Sequence, residues 1–285
     1  MREKLALCDG LPKSVLMTPA ILPNRSVLVL DGPDTLALLE RLVTCNTQNW
    51  STGEARYGAL LAPQGKLIAD FIALRTETGA LLDVATNAVG DLSKRLQMFR
   101  LRSKVEIGVD GKQAVAITED GTTDPRSASL PPRAFVPDGS LPVMSEADWD
   151  ALAIAACVPE WGRDFTGAEV FPWEINMDRM HGVDLKKGCF VGQEVVSRIH
   201  RRGKIRKRTV LIEGENLEQG QDVSGETPVG TITSAAGGKA LAQLRIDRLA
   251  KAQSALSVGG HSVSILGPDW LQGELDAIAS SEDAD

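Results

Sequence analysis

Aromatic side chains are scarce in this 285-residue chain: six Phe, five Trp and one Tyr make up 4% of it. Cysteine is scarcer, with only Cys8, Cys45, Cys157 and Cys189, and no two of them form a CxxC pair. That excludes paired-thiol redox and zinc motifs, and scattered thiols in a chain of this size suit a reducing compartment rather than a disulfide scaffold. The three histidines, His181, His200 and His261, are dispersed, so no metal ligand set is expected. The longest unbroken apolar run, residues 151–158, is far short of a bilayer span, and the first residues hold no signal-peptide core. No repeat of solenoid period is present. Together these absences lead to the expectation of a soluble cytoplasmic protein with no membrane partner.

What is present is an ordinary globular composition, 43% hydrophobic and 24% charged, enough to build a core in two or three modules. Residues 26–30 (SVLVL) read as a buried strand. Leu36, Leu39, Leu42 and Val43 then recur at helical spacing over 33–45. Two apolar runs flank Pro63-Gln64-Gly65-Lys66, a turn sequence, and predict a hairpin over 56–75. A further strand at 80–86 leads into a helix capped by Asn87, with Val89, Leu92, Leu96 and Phe99 on one face. Residues 105–107 and 114–117 resume strand character. Residues 119–142 hold Asp124-Pro125, Pro131-Pro132, Pro137 and Pro142 and read as a linker. Ser145, with Asp148 three residues on, starts a helix over 145–158. Residues 192–202 are another helix. From Lys207 onward, short β-type runs separated by Gly-rich turns predict a small barrel, and from Leu271 the acidic, small-residue end is expected to fray.

Charge is unevenly distributed. The formal net charge of −7 disfavours nucleic acid and anionic membranes as general partners. Residues 186–208, however, hold nine bases (Lys186, Lys187, Arg198, Arg201, Arg202, Lys204, Arg206, Lys207, Arg208) against Glu194, a formal +8, leaving −15 for the rest. This stretch reads either as a solvated face or as a localised site for an anion or an RNA backbone. It also contains Cys189, which follows two lysines and precedes a helix start, surroundings that favour a thiolate. Trp161, Phe165, Phe171, Trp173 and Phe190 gather just before or within it, as core or as pocket walls.

Lys187-Gly188-Cys189-Phe190-Val191-Gly192-Gln193-Glu194 resembles the K-G-C-[FY]-x-G-Q-E signature of the YgfZ-type folate-binding proteins, relatives of the glycine cleavage T-protein that assist iron–sulfur cluster assembly or repair. Phe171-Pro172, Glu174 and Asn176 resemble that family's F-P-x-E-x-N stretch, and Val158-Pro159-Glu160-Trp161-Gly162 its I-P-x-x-G turn. The likeness runs from about residue 20 to 245. It implies an α+β fold of three T-protein-like modules: residues 1–54 with 112–203, an inserted α/β module at 55–111, and a C-terminal β-barrel over 204–285. It also implies a tetrahydrofolate ligand and iron–sulfur proteins, or their assembly machinery, as partners. Cys189 and Asp70 are then the candidate catalytic residues. Asp70, Glu174, Gln193 and Glu194 are candidates for the pterin edge, Lys187 and Arg198 for the glutamate tail, and Trp173 for the pocket wall. Where the T-protein hairpin carries an Asp-Asp pair, this chain has Ala69-Asp70. Where the folate-binding relatives often have R-I-x-x-G-I-P, it has Ala153-Ile154-Ala155-Ala156-Cys157-Val158-Pro159. An aminomethyltransferase and an RNA-binding protein linked to tRNA modification remain the alternatives.

Overall fold

A computed structural model describes residues 18–201, 205–252 and 255–282. Cys8 and the N-terminal reading, with Arg202 and Lys204 of the basic stretch, lie outside the described residues.

The chain opens with strands β1 (Ala20–Ile21) and β2 (Arg25–Asp31), then helix α1 (Thr35–Leu42). Strands β3 (Ala55–Leu61), β4 (Leu67–Arg75) and β5 (Gly79–Ala85) lead to helix α2 (Thr86–Arg100) and β6 (Glu106–Asp110). The order β3-β4-β5-β2-β6 forms one antiparallel five-stranded sheet. Side chains alternate across it, so β2 sends Leu28 and Leu30 to one face and Val27 to the other. The first face is covered by Leu38, Leu39 and Leu42 of α1 and by Val89, Leu92 and Leu96 of α2. The second packs against Val115, Ile117, Trp149, Phe165, Trp173 and Phe190. Burial on both faces is why β2 is apolar at successive positions instead of alternating.

This sheet crosses the expected module line at residue 54. β2 is hydrogen-bonded between β5 and β6, so residues 25–31 share a ladder with 55–85 and 106–110. The proline-rich segment is also not a free linker. β7 (Gln113–Thr122) runs into it and pairs with β1 and β8 (Arg133–Pro137), and between them Asp124, Arg126 and Arg133 turn inward and are buried. Helix α3 (Glu146–Ala155) starts as expected, with Ser145 Oγ accepting from the Asp148 amide at 3.1 Å. Helix α2 begins one residue before Asn87, after Ala85, and no side chain caps it.

A single 3-10 turn (Pro172–Ile175) and helix α4 (Gln193–Arg201) precede the C-terminal module. Its strands are β9 (Lys207–Glu213), β10 (Asp222–Ser224), β11 (Pro228–Ala236) and β12 (Lys239–Arg245), then, after helix α5 (Ile246–Leu249), β13 (Ser257–Val258), β14 (His261–Ser262) and β15 (Ser264–Leu266). They form a seven-stranded antiparallel, barrel-like sheet in the order β14-β13-β10-β11-β12-β9-β15. The end of the chain does not fray at Leu271. Asp269–Glu282 is helix α6, with Leu271 fully buried and Trp270, Leu275 and Ile278 packed on the same core. Those spacings mark a helical apolar face that the acidic composition had masked.

Candidate functional site

The segment around Cys189 is a loop anchored through Lys187, Phe190, Gly192 and Gln193, while Gly188, Cys189 and Glu194 are exposed. Lys187 turns inward. Its ammonium donates to the carbonyls of Val43 at 3.0 Å and Cys45 at 2.7 Å and lies 3.3 Å from Glu40 Oε2. Burial lowers the Lys187 pKa, partly offset by Glu40. Phe190 is buried beneath that ammonium, 5.7 Å from it. Gly192 has φ +82°, and a Cβ there would stand 2.7 Å from the Ala62 carbonyl at the β3–β4 hairpin. Gln193 Nε2 donates to the Lys187 carbonyl at 3.4 Å. Cys189 and Gly188 are left exposed. The motif therefore builds a scaffold that seats the loop on the hairpin and on the segment after α1, and presents one thiol to solvent. Cys45 is the opposite case: buried beside Gly58, its thiol is pushed up to about 11 by burial, which leaves it inert.

The close approach at Gly192 makes a direct prediction. Gly192→Ala forces a side chain against a backbone carbonyl at a positive φ, and is expected to lower unfolding stability by about 1–3 kcal/mol. Urea denaturation measures it, and a loss within error would mean that the loop shifts freely.

Several expected ligand contacts are occupied elsewhere. Lys187 is engaged as described and does not offer its charge to a tail carboxylate. Glu174 Oε2 accepts the Phe171 amide at 2.8 Å, a turn-capping role. Trp173 is buried in the core and stacks on Phe171 at 5.2 Å between centroids. Glu194 and Arg198 lie exposed on α4. The basic stretch is not one continuous surface, because Arg208 is also buried, bridging Asp178 and Glu274. The structure thus brings Lys187, Gln193 and Cys189 into one loop but leaves Asp70 in a different environment.

Asp70 is buried next to Tyr57, whose hydroxyl donates to Asp70 Oδ2 at 3.0 Å. Its Oδ1 has no hydrogen-bond partner among the described residues. Burial raises the Asp70 pKa, with Arg25 and Arg126 pulling the other way and Glu160 adding to the rise. Around it runs a chain of buried ion pairs. Arg25 Nε meets Asp83 at 2.5 Å, and its Nη1 lies 3.6 Å from Glu160. Arg126 pairs with Asp124 at 2.9 Å and with Glu160 at 2.8 Å. Arg133 pairs with Asp83 at 2.5 Å and with Asp124 at 2.8 Å. Burial pushes the Asp124 and Glu160 carboxyls up, but the guanidiniums outweigh it and hold both below their ordinary range.

One end of this network opens into a cleft of about 570 Å³ lined by Arg25, Asn87, Trp149, Glu160, Trp161 and Arg163. Trp161 is half-buried and stands edge-on to Phe165 at 5.6 Å. Its aromatic walls suit a planar ligand, and its charges are Glu146, Asp150 and Glu160 beside Arg25 and Arg163, with Arg163 already paired to Asp150 at 2.7 Å and Asp164 at 2.6 Å. The sequence had singled out Trp161 and its V-P-E-W-G turn, but Arg25 and Trp149 carried no local signal.

The structure superposes on the aminomethyltransferase T of the glycine cleavage system from Bartonella henselae with a TM-score of 0.72 over 87% of this chain and 85% of that one, at 14% identity. The fold is that of a glycine cleavage T-protein. Residues 206–273 match the family model of the CAF17 C-terminal beta-barrel domain, which confirms the barrel module on the T-protein fold. The chain is also similar to proteins named iron-sulfur cluster assembly factor IBA57 homolog, mitochondrial. The one from Mycosarcoma maydis is 30% identical over 67% of this chain and 56% of its own length. That from Neosartorya fischeri is 28% identical over 76% and 61%. The chain therefore spans little more than half the length of these relatives. Their mitochondrial designation contradicts the cytoplasmic placement expected above, which rested on composition and carries no information about an organelle.

Proposed function

We propose that this chain is a tetrahydrofolate-binding accessory factor in the assembly or repair of iron–sulfur proteins. The observation that carries the reading is Cys189, an exposed thiol in a loop that Lys187, Phe190 and Gly192 anchor to the protein. The relatives, named as iron–sulfur assembly factors, support the client class. The folate is assigned to the cleft, its pterin against Trp161 and Trp149 and its polar edge toward Glu160. A transferable one-carbon unit belongs to the folate; this chain supplies walls, charge and a positioned thiol. Asp70 is enclosed by Tyr57 and the ion pairs and does not line the cleft, which favours binding over aminomethyl transfer.

Two measurements test it. In a strain lacking the gene, Cys189→Ser is expected to leave cluster-dependent enzymes at background activity while the purified variant keeps wild-type stability. Full rescue by the variant would remove the thiol role. Calorimetric titration with tetrahydrofolate is expected to show binding that Trp161→Ala weakens about tenfold, the loss of one aromatic contact of ~1.4 kcal/mol. Absence of heat at millimolar ligand would remove the folate.

A further inference from the structure

The end of α2 carries a surface that the folate and thiol reading does not use. Lys94, Arg95, Arg100, Arg102 and Lys104 are all exposed, and no acidic residue occurs between Leu92 and Val105. Arg41 of α1 adds a sixth exposed cation, its Nη2 donating to Ser103 Oγ at 2.9 Å. In a chain of net charge −7 this concentration is local, and the flanking exposed acids are Asp91 and Glu106. Amid these cations stand two large apolar side chains in water, Met98 at 59% exposure and Leu101 at 81%. Lys94 and Met98, four residues apart, share the helix face opposite the buried Leu92 and Leu96, and Leu101 stands just beyond the last helical residue, Arg100.

Leu101 is held there rather than left loose. It terminates α2 with φ 50° and ψ −112°, a conformation that glycine adopts freely and leucine rarely does. The backbone around it is pinned. Ser103 N donates to the Arg100 carbonyl at 2.9 Å, Arg100 Nη1 to the Val105 carbonyl at 3.1 Å, and Lys104 N to Asp34 Oδ2 at 2.7 Å. A strained leucine kept out of any core, at a position where glycine would relieve the strain, fits a contact residue for something outside the chain.

We propose that this surface docks an acidic protein segment bearing one large apolar side chain, which seats on Met98 and Leu101 while its carboxylates meet Arg95, Arg100 and Arg102. Charge complementarity identifies the occupant. A nucleic acid fits less well, because the surface exposes no aromatic ring for a base and Phe99 is turned partly inward. A bilayer fits less well, because two apolar side chains are a small area to bury and the rest of the chain is acidic.

Fluorescence anisotropy tests this with the full chain and a short fluorescein-labelled peptide of Asp and Glu around a single Leu. Wild type is expected to bind in a salt-sensitive manner, and the double variant Arg100→Glu, Arg102→Glu to bind about tenfold more weakly. Leu101→Gly is expected to weaken binding about fivefold while its thermal midpoint equals or exceeds that of wild type, since glycine relaxes the backbone. A structural leucine would instead lower the midpoint. No binding by wild type, or equal binding by all three proteins, overturns the proposal. So does tighter binding of phosphatidylserine vesicles or of an oligouridylate with the same dependence on Arg100 and Arg102, which would assign the surface to lipid or RNA.

Discussion

Arg126→Ala is expected to lower unfolding stability by about 3–5 kcal/mol, the cost of taking the shared cation from two buried carboxylates. Arg126 is almost fully enclosed and serves two acids at once, Asp124 at 2.9 Å and Glu160 at 2.8 Å, with its guanidinium 5.9 Å from the Tyr57 ring centroid. Among the described residues, Asp124 is sealed from water and keeps only Arg133, and Glu160 keeps only the longer contact to Arg25 at 3.6 Å, so the loss falls on the folded state. Against a total of about 5–15 kcal/mol for a globular protein, the variant would sit near the edge of stability. Urea denaturation monitored by tryptophan fluorescence measures the difference, and a loss below about 1 kcal/mol would mean that water or neighbouring side chains reach the acids.

The same network predicts a pH dependence. Asp124 and Glu160 are held below their ordinary values by Arg126 and its neighbours, outweighing burial. Their contribution to stability is therefore present above the unfolded carboxylate values, about 4, and is lost as pH falls through the folded values. Asp70 works oppositely. Burial raises it, so its contribution is present below the unfolded value and disappears as pH rises through the folded one. With two depressed acids against one raised, wild-type stability is expected to climb as pH rises from acid toward neutrality. Arg126→Ala should flatten that climb, because both depressions depend on it.

Arg208→Ala is the second large effect, again about 3–5 kcal/mol. Arg208 is fully buried, yet its guanidinium is saturated: Nη1 meets Asp178 at 2.6 Å and the Trp173 carbonyl at 2.9 Å, and Nη2 meets Glu274 at 2.6 Å. The Trp270 ring lies 5.1 Å from it. One side chain thus ties β9 of the barrel to the segment following the Pro172–Ile175 turn and to α6. Removing it leaves Asp178 and Glu274 facing each other with only Arg179 between them. Helix α6 is expected to become the first site of limited proteolysis in the variant, with the remaining barrel still protected. Simultaneous loss of protection throughout the chain would show that α6 is not a separable clamp.

Much of the local structure was legible in the residues. SVLVL reads as a strand buried on both faces because neither side of β2 meets water. The Pro63–Lys66 turn placed the β3–β4 hairpin, and Ser145 placed the start of α3, because turn and cap chemistry act over three or four residues. The Lys187–Glu194 motif identified the loop that carries the exposed thiol, and short strands between glycine-rich turns identified the barrel. Each of these signals is local, a matter of periodicity or of a side chain and its own backbone.

What went unread depends on residues far apart in the chain. Asp124, Arg126 and Arg133 looked like the polar content of a linker, and only contact with Asp83 and Glu160 turns them into a buried network. Lys187 looked available to a ligand until the carbonyls of Val43 and Cys45 closed around it. The cleft draws Arg25 from one strand, Trp149 from α3 and Trp161 from a later turn, a convergence with no spacing to find. The sequence by itself determined most of the elements, the hairpin and the barrel. The tertiary structure alone decided which charges are consumed inside and which face water, because the energy of a charge depends on what surrounds it in space rather than on what precedes it in the chain.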